Sequence, residues 1–73
     1  MIEDAEVARE VSDLMQGLTS QLNRSVGDIM ARCPLQEARI YRRAVGAIMA
    51  EILLEVLNPV YELHPSLKPP GFD

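Results

Sequence analysis

Apolar residues recur every three or four positions on both sides of one proline, Pro34, and that spacing limits what the chain can become. On the first side, Val7, Val11, Met15, Leu18, Leu22, Val26 and Ile29 are separated by steps of 4, 4, 3, 4, 4 and 3. That is the spacing of one face of a helix with 3.6 residues per turn. Glu3, Glu6, Glu10, Asp13, Gln16 and Ser20 fall on the opposite side, so the pattern predicts a strongly amphipathic helix over about residues 4–32. Glu3, Asp4 and Glu6 lie in or beside its first turn, where they suit the positive end of the helix dipole. Gly17 and Gly27 each cost about 1 kcal/mol relative to alanine, unless they lie where another helix approaches closely. Thr19, Ser20, Asn23 and Ser25 make the middle polar and allow a kink or break near residues 19–27.

Pro34 is the clearest punctuation in the chain. A helix normally stops before the residue that precedes a proline, and proline is favoured at the first position of a new helix. The stretch Ala31-Arg32-Cys33-Pro34 therefore reads as a tight helix–helix connection. Ile40, Tyr41, Ala44, Val45, Ile48, Met49, Ile52, Leu53, Val56 and Leu57 then repeat the 3-4 pattern and predict a second helix over about 35–57. Its apolar stripe is too wide for one neighbouring helix to cover. At Asn58-Pro59 the sequence suggests a break and restart, with asparagine as N-cap and proline following. Residues 59–63 would form a further short turn or a kinked continuation. Three prolines among the last ten residues favour an extended, polyproline-like tail over 64–73, with Leu67 and Phe72 as its anchors.

Size bears on how such a chain is stabilised. A chain of 73 residues buries about 60% of its unfolded surface and is marginal without a supplement. The single cysteine, Cys33, forms no internal disulfide, and the single histidine, His64, leaves no zinc-ligand set. A partner chain is the remaining supplement. The acid-rich first fifteen residues hold no apolar core of a signal peptide. The longest uninterrupted apolar run, residues 44–50, is far below the roughly 20 residues that span a bilayer. A cytoplasmic setting is expected.

Charge is distributed unevenly. The net charge is −4, from 7 cations and 11 acids, which disfavours nucleic acid and an anionic membrane as partners. Arg24, Arg32, Arg39, Arg42 and Arg43 lie within residues 24–43 against Asp28 and Glu37, so that stretch carries +3 and the remainder −7. In a hairpin these become a positive head and a negative foot. Three readings of the head remain open: solubility and dipole complementation, charge matching in an antiparallel dimer, or an anion site formed by Arg39, Arg42 and Arg43 near the start of the second helix.

Few residues suggest chemistry. Cys33 beside a helix start with arginines near has the surroundings of an activated thiol, but no second cysteine or nearby histidine accompanies it, and a half-buried structural residue is the simpler reading. Glu51 and Glu55 are one helical turn apart and read as a wet stripe. There is no Gly-rich phosphate loop. Two tyrosines, one phenylalanine and no tryptophan provide little for base stacking.

The expectation is thus an all-α chain. Residues 1–63 would form an antiparallel helical hairpin that pairs into a dimeric four-helix bundle, with 64–73 as a tail. Val45, Ile48, Met49, Ile52, Leu53 and Val56 are expected as the dimer core. The corresponding function is a non-enzymatic interaction or adaptor module that homodimerises, with no cofactor, metal or small-molecule substrate. A regulator that binds an anionic ligand or acidic partner through the arginine head is the alternative, and peripheral membrane association through the second helix is another.

Overall fold

A computed structural model describes residues 1–71; Phe72, one of the two expected tail anchors, lies outside the described residues. The chain is all-α. Helix α1 spans Ala5–Arg32 and helix α2 spans Leu35–Glu51. The helix then widens into π-type turns over Ile52–Leu57 and returns to α geometry as α3, Asn58–Leu63. A 3₁₀ turn follows at Pro65–Leu67. The molecule measures 45 × 20 × 16 Å. Its radius of gyration, 14.4 Å, exceeds the roughly 11 Å of a compact chain of this length.

Local chemistry accounts for the boundaries. The Asp4 carboxylate accepts hydrogen bonds from the Glu6 and Val7 amides at 2.9 and 3.0 Å, capping α1. Helix α1 ends at Arg32 because Cys33 is extended, at φ −123° and ψ 158°, as the residue before a proline prefers. Pro34 itself sits at the cap position rather than inside α2, and its carbonyl accepts from the Ala38 amide at 3.0 Å. The polar middle of α1 does not break the helix, which runs unbroken through residues 19–27. Thr19 donates to the Met15 carbonyl at 2.9 Å, satisfying its hydroxyl along its own helix.

At Asn58-Pro59 the chain takes the second of the two expected courses, a continuation of the helix, without the expected asparagine cap. Asn58 has helical dihedrals, φ −59° and ψ −48°, and caps nothing; the helix continues from Leu35 to Leu63. Proline lacks the amide that would bond four residues back, and its ring crowds that carbonyl. Widening the preceding turns relieves the conflict: the Asn58 amide bonds the Leu53 carbonyl, five residues back. The wide turns also delay the helical phase by one residue. Ala38, Val45 and Ile52 fall at seven-residue intervals on the inner seam, and the next member is Val60 rather than Pro59. Without that delay Val60 and Tyr61 would be rotated off the seam by about 100°.

The core centres on Ala8, Leu57, Val60 and Tyr61, with Ile2, Val11, Met15, Ile52, Val56 and Leu67 packed against it. A smaller buried set, Val26, Ala38 and Val45, lies toward the Pro34 end. On α1 the inner seam runs Ala8, Ser12, Met15, Thr19, Leu22, Val26 and Ile29. Met15, Leu22, Val26 and Ile29 belong to the expected stripe, while Ala8, Ser12 and Thr19 take the places expected for Val7, Val11 and Leu18; Val7 and Leu18 are 44% and 37% exposed. Small Ala8 and Ser12 face the bulky end of the second helical run, so size complementarity outranks hydrophobicity at those positions.

Candidate interaction surface

Three hydrogen-bonded pairs tie distant parts of the chain together. Ser25 Oγ meets Tyr41 Oη at 2.6 Å, Ser12 Oγ meets Tyr61 Oη at 2.7 Å, and His64 Nε2 donates to the Ile2 carbonyl at 2.7 Å. Gln16, placed by the sequence pattern on the outer polar side, instead reaches inward. Its amide donates to Ser12 Oγ at 3.0 Å and Tyr61 Oη at 2.8 Å. Ser12 is only 2% exposed. A hydroxyl buried this deeply costs free energy unless it is bonded, and among the described residues no buried side-chain polar atom lacks a partner. Sequence reasoning missed this cluster. Its one available signal was Ser12 standing at helical spacing between Ala8 and Met15.

The six residues expected at a dimer core divide between inside and outside. Val45 is 3% exposed and is covered by its own chain. Met49, Ile52 and Val56 are half-buried, and Ile48 and Leu53 face outward at 51% and 37% exposure. The outward surface extends further than those two. Leu14, Ile40 and Leu54 are 57%, 67% and 60% exposed.

A groove of about 310 Å³ is lined by Thr19, Met49, Ala50, Leu53 and Leu57. A second, about 270 Å³, adjoins it and is lined by Gln16, Thr19, Ser20, Leu57 and Pro69. Leu67 is half-buried against the core and Pro69 lines the second groove, so this part of the tail lies on the helices. The segment 65–67 is a 3₁₀ turn rather than extended chain, with Pro65 at the start, where a missing amide costs nothing. The first groove offers little to orient a small ligand, because its only side-chain hydroxyl, on Thr19, is already bonded to the backbone. Leu14 and Leu18 lie two residues from Gln16 and Ser20, hence about 160° away around α1. Apolar surface therefore occupies one flank of α1 while the grooves occupy the other.

The arginine head is fully on the surface. Arg39, Arg42 and Arg43 are exposed, and among the described residues none of the three makes a hydrogen bond or ion pair. Arg32 pairs with Asp28 at 3.2 Å, one turn away and largely solvated, an interaction worth a few tenths of a kcal/mol. Cys33 is half-buried at the connection. Among the described residues no three metal-ligating side chains come together.

The helical run Leu35–Leu63 bears on the membrane expectation without testing it. It is 29 residues long and apolar enough, by length and composition, to cross a bilayer. Counting uninterrupted apolar residues hid this, because Glu51 and Glu55 divide the run and Pro59 was expected to end it. Of its most apolar window, 22% is buried within the chain. Comparison with protein-family models, with curated proteins and with solved structures gives no significant match.

Proposed function

We propose that this chain is a small non-enzymatic interaction module of the cytoplasm, an antiparallel helical hairpin that homodimerises into a four-helix bundle. The observation that carries the reading is unspent surface. The chain exposes 5393 Å², whereas a compact monomer of 8.1 kDa exposes about 4,500 Å². The excess accompanies the elongated 45 × 20 × 16 Å shape, and the surface it exposes includes Leu14, Ile40, Ile48 and Leu54 at 57%, 67%, 51% and 60%. Two helical layers leave their outer apolar residues without a third layer, and a second copy supplies two more.

Light scattering on a sizing column across a concentration series tests this. The expected mass is twice 8.1 kDa. Ile48→Glu, at a position 51% exposed, should leave the helical circular dichroism intact and yield a monomer. A wild-type monomer at every concentration, or a dimer untouched by this substitution and by Leu54→Glu, would overturn the reading.

A second reading, membrane association through Leu35–Leu63, is supported by the length and hydropathy of that run and by the three arginines near its start. Against it, Glu51 and Glu55 would each meet the cost of a charged side chain within a bilayer, about 2.5–3.5 kcal/mol on insertion scales. Co-sedimentation with phosphatidylserine-containing vesicles separates the two: the dimer reading expects the chain in the supernatant.

A further inference from the structure

We infer that the two copies in the dimer pair head to foot, with the arginine end of each hairpin beside the acidic end of the other. The inference rests on the dimer reading and adds its orientation. Ser25–Tyr41 places residues 24–43 at one end of a 45 Å molecule, while Ser12–Tyr61 and Ile2–His64 gather the chain ends at the other. The first end carries Arg24, Arg32, Arg39, Arg42 and Arg43 against two acids, for +3. The second holds Glu3, Asp4, Glu6, Glu10, Asp13 and Glu62 with Arg9 and Lys68.

Side-by-side association with heads together would crowd the cations of both copies at one end and the acids of both at the other. Head-to-foot association replaces both repulsions with attraction. The same arrangement suits the apolar surface. Leu18 and Ile48 are exposed near the middle of the molecule, at the level of the Thr19–Met49–Leu53 groove. A twofold axis crossing the long axis there brings these residues against their own counterparts, as a closed twofold interface requires. Among the described residues Arg39, Arg42 and Arg43 make no hydrogen bond or ion pair, which leaves them available for the neighbouring foot.

Cys33, the sole cysteine, marks the head and makes the orientation measurable. A nitroxide on Cys33 of the full chain reports the label-to-label distance in the dimer by pulsed dipolar spectroscopy. Head-to-foot pairing places the labels near opposite ends, at a separation approaching the 45 Å length. If labelling the half-buried thiol disturbs the fold, Ala31→Cys in a Cys33→Ser background provides an exposed site two residues away. Arg39→Glu with Arg43→Glu takes the head from +3 to −1 and should weaken dimerisation at least tenfold at low salt. Raising the salt to 1 M, where the Debye length is about 3 Å, should erase most of that difference. A dimer with labels about 20 Å apart or closer, a Cys33–Cys33 disulfide formed on mild oxidation, or an unchanged dissociation constant for the double variant would overturn the orientation while leaving the dimer standing. A monomer under all conditions would overturn both.

Discussion

Ser12 Oγ and Tyr61 Oη lie 2.7 Å apart across 49 residues of sequence, both buried, and Gln16 bonds to each. This small polar cluster joins the N-terminal half of α1 to α3 at one register. A purely apolar contact would tolerate sliding by a turn; three mutually satisfied polar groups do not.

Tyr61→Phe should therefore destabilise the protein by about 1–2 kcal/mol, since it leaves the buried Ser12 hydroxyl with one partner fewer. Combining it with Ser12→Ala should cost less than the sum of the two single changes, because their effects share one interaction. Urea unfolding of all four proteins at one fixed concentration reads both quantities. Strict additivity would show that the two hydroxyls are energetically independent.

Gly17, Gly27 and Gly46 stand in open space: a Cβ at any of them meets nothing within 4 Å of its own chain. Close helix approach within the monomer does not explain them. Gly17→Ala and Gly27→Ala should each raise stability by about 0.8–1 kcal/mol through helix propensity alone. Thermal melting checks this. A loss of stability at either site would place a second copy against that glycine.

Pro59→Ala pits two effects against each other. Alanine is favoured over proline within a helix by about 3 kcal/mol. Yet an ideal α-helix through residue 59 would turn Val60 and Tyr61 off the core seam, and Val60 is 0% exposed. The expected outcome is a net gain below about 1 kcal/mol, accompanied by amide chemical-shift changes confined mainly to Ile52–Tyr61. A full 3 kcal/mol gain with the Ser12–Tyr61 pair intact would show that the wide turns do not set the register.

Asp4→Ala removes the acceptor for two amides at the start of α1 and should cost about 1 kcal/mol. Asp4→Asn, which keeps a side-chain oxygen, should recover most of it. Hydrogen exchange of the Glu6 and Val7 amides is the direct reading: both should exchange faster in the alanine variant and near the wild-type rate in the asparagine variant.

Helical class was legible from the 3-4 spacing on either side of Pro34, because that periodicity survives any small rotation of the helices. The start of α1 at Asp4 and its end at Cys33 were also local matters, decided by a capping carboxylate and a pre-proline backbone. The candidate surface was less legible. Ile48 and Val45 are both apolar and on the same broad stripe, yet one is 51% exposed and the other 3%. Only the direction from which α1 approaches separates them.

By itself, then, the sequence determined that the chain forms two amphipathic helical runs joined at Pro34, with opposite charge gathered toward the connection and away from it. Tertiary structure alone decided which positions face inward. Ala8 and Ser12 are buried although Val7 and Leu18 are more hydrophobic, because small side chains let Val60 and Tyr61 pack closely and a buried tyrosine hydroxyl needs partners. It also decided between a break and a continuation at Pro59 in favour of a one-residue phase delay, since widening the helix over Ile52–Leu57 satisfies the backbone and returns Val60 and Tyr61 to the core.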